Sequence, residues 1–306
     1  VPLGHRHLLG LKDVSRGEIE LILETAKSFK EISRRPIPKV PALRGKTIVN
    51  LFFEPSTRTR TSFELAAKRL SADVVNFASG GSSLAKGETL LDTALTIQAM
   101  NVDLVVVRHS AAGTPRFLSS HLSAGVVNAG DGAHEHPTQA LLDMLTMLDH
   151  YPRLDDLRVV IVGDIAHSRV ARSNCWGLLA MGASVAVCGP PSLMPVGLDR
   201  FGVEVFHRLE PALKGADVVY LLRVQRERLG KCFIPSLREY AMLYKITPDR
   251  LRWANDGALV MHPGPMNRGV EIDSVVADGA QSLILEQVAN GVAVRMAVLY
   301  LLAMER

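Results

Sequence analysis

Phe52-Phe53-Glu54-Pro55-Ser56-Thr57-Arg58-Thr59-Arg60-Thr61-Ser62-Phe63-Glu64 is the stretch on which the fold turns. Residues 47–53 before it form a largely apolar, β-rich run, Pro55 turns the chain, and a helical pattern begins at Thr57. A buried strand feeding a helix is the repeating unit of a parallel sheet covered on both faces. This helix opens with hydroxyls and arginines. Its first N–H groups lack intrahelical partners and its dipole is positive at that end, so hydroxyls and guanidinium groups placed there make an anion site. A simple cap by Ser56 explains one hydroxyl. It does not explain five hydroxyl residues interleaved with Arg directly after an apolar strand.

The same alternation continues outward. Ser15-Arg16-Gly17-Glu18 is a capping box, followed by Ile19, Ile22, Leu23, Ala26 and Phe29 on one helical face. After a Pro-punctuated connector at 36–41, strands are expected at 47–53, 73–77, 104–107 and 126–128. Helices are expected between them at 57–70, 90–100 and 114–122. A helix at 137–148 leads to the Tyr151-Pro152-Arg153 turn, where the pattern restarts. Strands follow at 158–162, 184–188, 204–206, 218–222 and 259–261. The fold class is therefore α/β, with two doubly wound parallel-sheet domains and an active site expected in the cleft between them. The domain limits are placed at 1–137 and 138–283, with a terminal helix at about 284–306 packing back onto the first domain.

The 306 residues include 25 Arg but only 10 Lys, and the formal net charge is +4. So slight an excess, with no basic run longer than two residues and few aromatics, does not favour nucleic acid. The Arg skew suits carboxylate or phosphate ligands, which guanidinium groups grip bidentately. At 47% hydrophobic and 22% charged, the chain can bury a sizeable core. Cys175, Cys188 and Cys232 lack the spacing of a disulfide framework or a zinc site and suit reduced, buried thiols. Residues 1–7 lack the order of a signal peptide. The apolar run 292–304 is broken by Arg295 and is too short to span a bilayer. Together these features predict a soluble, cytoplasmic protein without a membrane partner.

Further candidate residues stand at strand ends. Arg108 follows the run 104–107, where its charge would point at the neighbouring strand end. His136 precedes Pro137 at a helix start, and His134-x-His136 has metal-like spacing without a further cluster to complete a site. The glycine-rich stretch at 80–88 lacks the Gly-Lys-Ser/Thr of a Walker A loop. Gly163-Asp164-Ile165-Ala166-His167-Ser168-Arg169 stands where a dinucleotide binder has G-x-G-x-x-G, but two glycines are missing, so bound NAD is not expected. Arg169, at the entry of the next helix, and Arg223, straight after a strand, suit a dicarboxylate, with one guanidinium for each carboxylate.

Ser56-Thr57-Arg58-Thr59-Arg60 resembles the carbamoyl phosphate motif of the aspartate/ornithine transcarbamoylases. The likeness extends through Ser83-Leu84-Ala85-Lys86-Gly87-Glu88, Val107-Arg108-His109 and His136-Pro137-Thr138-Gln139. It continues through Arg223-Val224-Gln225-Arg226-Glu227-Arg228 and His262-Pro263-Gly264-Pro265, in family order and over most of the chain. The Lys-Gly-Glu and Arg-Val-Gln blocks resemble the aspartate-specific branch. The resemblance implies carbamoyl transfer from carbamoyl phosphate to the α-amine of L-aspartate, an early step of pyrimidine synthesis, with no metal or cofactor. It implies that Ser56, Thr57, Arg58, Thr59, Arg108, His136, Gln139, Pro263, Gly264 and Pro265 hold carbamoyl phosphate. Thr59, Arg108 and His136 would surround the carbonyl oxygen, and Arg58 and Lys86 complete the implied catalytic set. Lys86, Arg169, Arg223 and Gln225 would hold aspartate. In the family, the loop matching Ser83 (or the adjacent Ser82) and Lys86 reaches a neighbouring subunit, which implies a homotrimer. Regulatory chains or a dihydroorotase are the further partners the family allows.

Three rivals remain. An ornithine-type enzyme would carry His-Cys-Leu-Pro where this chain has His-Pro-Gly-Pro, and Arg223-Val224-Gln225 argues against a cationic second substrate. A catalytically silent assembly subunit sits poorly with every transferred position being occupied. A nucleotide-binding module lacks its glycine fingerprint. The best-known family form has Leu at the position of Gly264, and the permissive glycine is expected to make that loop more mobile.

Overall fold

The computed structural model describes residues 3–78, 88–224 and 236–304. The chain divides into two compact units, Val1–Leu145 with Ala289–Arg306, and Thr146–Val288. The first runs α1 (Arg16–Ser33), β1 (Thr47–Phe52), α2 (Thr57–Arg69), β2 (Asp73–Ala78), α3 (Leu90–Gln98), β3 (Leu104–His109), α4 (Thr114–Ser119), β4 (Gly125–Asp131) and α5 (Pro137–Leu148). Both halves of the Ser15–Glu18 capping box form at the start of α1, and the five apolar residues of its face are buried. The four strands are parallel in the order β2-β1-β3-β4. β4 is buried along its whole length, and Leu8 adds a parallel bridge to Val127 on its outer edge.

The second unit runs β5 (Arg158–Val162), α6 (Arg169–Ala180), β6 (Ser184–Cys188), β7 (Glu204–Phe206), α7 (Leu209–Leu213), β8 (Val218–Leu221), α8 (Leu237–Tyr244), α9 (Pro248–Leu251), β9 (Leu259–Met261) and α10 (Ser274–Ala277). Its strands are also all parallel, in the order β7-β6-β5-β8-β9. The last helix, α11 (Ile284–Met304), belongs to the first unit from Ala289 onward. The sequence-based limits at 137 and 283 adjoin the starts of α5 and α11, whereas the compact units change over inside these helices, which continue unbroken through the boundary.

In both sheets the strand order reverses beside the first strand, between β1 and β3 in one and between β5 and β8 in the other. Parallel sheets bind ligands at the carboxyl ends of strands where the order reverses. Among the described candidates, Ser56–Thr59 and Arg108 lie by the ends of β1 and β3, Arg169 and Arg223 follow β5 and β8, and His136 and residues 263–265 follow the neighbouring strands β4 and β9.

Two buried charged groups shape the first unit. The helix α11 starts well before the apolar run at 292 and is long and apolar enough to cross a membrane, yet most of it is buried within the fold. Its Arg295 is 4% exposed. The guanidinium donates to Ser62 Oγ at 2.9 Å and to the Gly291 carbonyl at 3.0 Å, and lies 5.1 Å over the Phe63 ring. Burial draws its pKa down to about 10, against the opposing pull of Asp143, so it stays charged at neutral pH. Arg295 thus ties α11 to α2, the helix that carries the anion motif.

The second group is Asp131 at the end of β4. Its carboxylate is 1% exposed and accepts from Gly113 N at 2.7 Å, Asn128 Nδ2 at 2.8 Å and Glu135 N at 3.1 Å. It also pairs with His134 Nδ1 at 3.1 Å. Burial pushes its pKa up, but the His134, Asn128 and Gly113 donors outweigh that and hold it below the ordinary aspartate value.

Arg295→Ala should lower unfolding free energy by about 2–4 kcal/mol, because it strands Ser62 and opens space beside Phe63. Ser62→Ala should cost only about 1 kcal/mol, and equal losses in urea unfolding would refute the tether. For Asp131, a depressed folded-state pKa means its stabilisation is complete above the unfolded value of about 3.9. It is then lost as pH falls through the folded value. Urea midpoints measured downward from pH 5 should therefore decline, and Asp131→Asn should flatten that decline.

Candidate active site

In the first unit, candidate residues gather at the β1/β3 switch point. Phe52 stands in register with Arg108, and Phe53 N donates to the Arg108 carbonyl at 2.9 Å. The Arg108 guanidinium lies 3.5 Å from Glu54 and donates to the Ala129 carbonyl at 3.2 Å. The strand end therefore holds Arg108 against the loop that leads into α2. Ser56 occupies the N-cap position of α2, but its hydroxyl makes no capping bond. The simple-cap alternative therefore does not describe this helix start. Thr57 and Arg58 are exposed, whereas Thr59 is buried. His109 stacks edge-on against Phe53 at 5.2 Å. Burial lowers the pKa of His109, with Glu54 and Asp131 opposing.

His136 arrives from the next strand over. The Asp131 knot fixes the turn after β4, and Asn128 Nδ2 reinforces it by donating to the Leu9 carbonyl at 2.9 Å and the Glu135 carbonyl at 3.3 Å. His136 is buried immediately before α5, where its carbonyl accepts from Gln139 N at 3.0 Å. The Gln139 amide donates to Asp143 at 3.0 Å. His134, the other member of the metal-like pair, is engaged with Asp131.

In the second unit, candidate residues gather at the β5/β8 switch point. Gly163 follows β5 at φ +137°, and a Cβ there would lie 2.9 Å from Leu222 Cβ. Glycine is required by this close approach. Asp164, 2% exposed, pairs with His167 Nδ1 at 2.9 Å and accepts the His167 N–H at 3.1 Å. Ser168 then caps α6 by accepting from Ala171 N at 3.1 Å. This places Arg169, 7% exposed, as the first residue of the helix. Next to β5, Leu222 N donates to the Val162 carbonyl at 2.8 Å, so the half-buried Arg223 leaves the same switch point.

The His-Pro-Gly-Pro loop follows β9. Gly264 takes φ +62° and its N–H donates to His262 Nδ1 at 2.8 Å. A residue with a Cβ pays about 1–2 kcal/mol in this left-handed region, so glycine has a conformational reason here beyond mobility. His262 Nε2 lies 3.3 Å from Glu271 Oε1, with both side chains buried.

Among the residues singled out in the sequence, Ser56, Thr57, Arg58, Thr59, Arg108, His136 and Gln139 thus lie in the first unit. Arg169, Arg223, Pro263, Gly264 and Pro265 lie in the second. Ser82, Ser83, Lys86, Gln225 and Cys232 lie outside the described residues. The described Cys175 and Cys188 are buried free thiols, and burial raises both to about 12. The supporting polar residues Asn128, Asp131, Asn267 and Glu271 were not signalled by spacing.

Residues 6–149 match the aspartate/ornithine carbamoyltransferase carbamoyl-P binding domain, and residues 155–302 match the Asp/Orn binding domain of the same family. The aspartate carbamoyltransferase catalytic subunit of Syntrophotalea carbinolica is 58% identical, over 98% of this chain and 96% of its own. That of Moorella thermoacetica is 60% identical, over 98% of each. Aspartate transcarbamoylase from Trypanosoma cruzi, solved with N-(phosphonacetyl)-L-aspartic acid, superimposes with a TM-score of 0.87 at 31% identity, covering 96% of this chain and 94% of that one. Ornithine carbamoyltransferase from Pyrococcus furiosus gives 0.87 at 30% identity, covering 98% of each. The chain belongs to the aspartate/ornithine carbamoyltransferase family.

Proposed function

We propose that this chain transfers the carbamoyl group of carbamoyl phosphate to the α-amine of L-aspartate, giving N-carbamoyl-L-aspartate and phosphate. The observation that carries this reading is the placement of arginines at both switch points. Arg108 lies beside the Ser56 helix start in one unit, and Arg169 and Arg223 flank the reversal in the other. The first set suits a phosphate and the second a dicarboxylate.

In this reading Ser56, Thr57, Arg58 and the α2 amides bind the phosphate. Thr59, Arg108 and His136 donate to the carbonyl oxygen, Gln139 and the Pro263 backbone hold the carbamoyl nitrogen, and the Gly264 carbonyl accepts from the aspartate amine. Arg169, Arg223, Gln225 and Lys86 bind aspartate. The deprotonated amine attacks the carbonyl carbon, a C–N bond forms, and the π pair moves onto oxygen. Collapse of the tetrahedral species breaks the bond to phosphate, which leaves with the electron pair and takes the amine proton. Charge stabilisation at the oxyanion is then the main catalytic contribution, and removing one such donor typically costs about 10²–10³-fold in rate. No covalent intermediate is needed. The reaction would supply pyrimidine synthesis in the cytoplasm, carried out by a homotrimer in which the loop bearing Ser83 and Lys86 completes a neighbour's site. Regulatory chains or a dihydroorotase are partners compatible with this assembly.

A carbamoyl-product assay should give turnover with L-aspartate and little with L-ornithine; the reverse preference would sink the assignment. Arg58→Ala should weaken carbamoyl phosphate binding, whereas Arg223→Ala should raise the aspartate KM. Each loss removes a charge-assisted contact worth about 1.5–3 kcal/mol, roughly 10- to 100-fold. An unchanged aspartate KM in Arg223→Ala would overturn the assignment of the second half-site.

A further inference from the structure

We propose that Glu271 and His262 are positioning residues for the His-Pro-Gly-Pro loop, with Glu271 orienting the His262 ring and His262 fixing the Gly264 backbone. The inference rests on the carbamoyl-transfer reading, in which the Pro263 and Gly264 backbone faces the reacting groups. Neither side chain can reach a substrate itself, since His262 and Glu271 are 0% and 1% exposed.

The chemistry of the contacts fixes the direction of control. A backbone N–H only donates, so the 2.8 Å bond from Gly264 N requires a lone pair on His262 Nδ1. The ring proton therefore sits on Nε2, which faces Glu271 Oε1 at 3.3 Å. The same Oε1 accepts the Asn267 N–H, so one carboxylate oxygen holds the ring at the start of the loop and the backbone near its end. Asn267 Nδ2 in turn donates to the Val224 carbonyl at 3.3 Å, next to Arg223. At the other side, Gln287 Oε1 accepts the His262 N–H at 2.9 Å. The loop is thus braced through its backbone, and its left-handed Gly264 follows from the turn that His262 closes. Among the described residues Glu271 Oε2 accepts no hydrogen bond, so an amide that keeps Oε1 preserves both contacts.

The test pairs two variants with one measurement on the wild-type protein. Glu271→Leu should lower kcat by about 10- to 100-fold and raise the aspartate KM, as expected when a supporting group is lost and a reacting geometry shifts. Inhibition by inorganic phosphate, which the first unit alone would bind, should keep its wild-type constant. Glu271→Gln should restore kcat and KM to within a few fold. A purely structural role would reduce active protein without moving the aspartate KM, so wild-type KM in Glu271→Leu overturns the proposal. Nitrogen-15 NMR of histidine-labelled full chain should show His262 as the neutral Nε2–H tautomer. This readout needs neither folding of a variant nor any activity. An Nδ1–H or doubly protonated ring overturns the proposal even if carbamoyl transfer to aspartate is demonstrated. Absence of that transfer alongside the Nε2–H tautomer would instead count against the functional reading.

Discussion

Strands covered on both faces leave no place for a charged side chain until the chain reaches an edge of the sheet. An unpaired guanidinium in mid-strand would lose its hydration for nothing, at a cost of several kcal/mol. β3 illustrates the consequence: Leu104, Val105, Val106 and Val107 are buried, and only then come Arg108 and His109. β8 behaves likewise, with four buried residues followed by Leu222 and then Arg223. Polar chemistry is displaced to the strand ends, and the reversal of strand order decides which ends have room for a ligand. The positions of Arg108 and Arg223 follow from that exclusion.

The buried charges inside the fold obey the complementary rule. Asp131 has four donors to set against its desolvation, and the balance lies on the side of the ionised form. Arg295 has a hydroxyl, a carbonyl and an aromatic face, and desolvation still weakens its hold on the proton. Glu271 Oε1 accepts from both His262 Nε2 and Asn267 N, and His262 Nδ1 accepts from Gly264 N. Each of these groups braces an element that delivers site residues: Asp131 the turn before His136, Arg295 the helix α2, and Glu271 the loop after β9. The interior polar groups are therefore scaffolding for the edge, held in place because their hydrogen bonds cannot be made elsewhere without stranding a partner.

What the sequence made legible follows the range of each interaction. β5, β6, β7 and β9 stand where the apolar runs at 158–162, 184–188, 204–206 and 259–261 placed them, because strand burial is written in consecutive residues. The Ser15 capping box and the helix start at Thr57 are local in the same way. The supporting contacts are not. Gly113 donates to Asp131 across 18 positions, and Arg295 reaches Ser62 across 233. No spacing rule connects such pairs, since their proximity is created by the sheet. Even His262 and Glu271, only nine positions apart, meet through an irregular loop that has no period. The short helices α7, α9 and α10 carry too few turns to show an apolar face and were not legible either.

The two branches of the family present nearly the same backbone to this chain, with TM-scores of 0.87 for both an aspartate and an ornithine enzyme. Fold likeness therefore cannot select the second substrate, and the choice falls to a few side chains. A cationic side chain brought within about 4 Å of one guanidinium near the protein surface is repelled by about 4 kcal/mol, close to a thousandfold in binding. A carboxylate in the same place is attracted by a comparable amount, the preference that Arg169 and Arg223 would apply under the proposed assignment. On this ground a dianionic amino acid is the proposed acceptor, and two substitutions would alter the selectivity more than a change of scaffold.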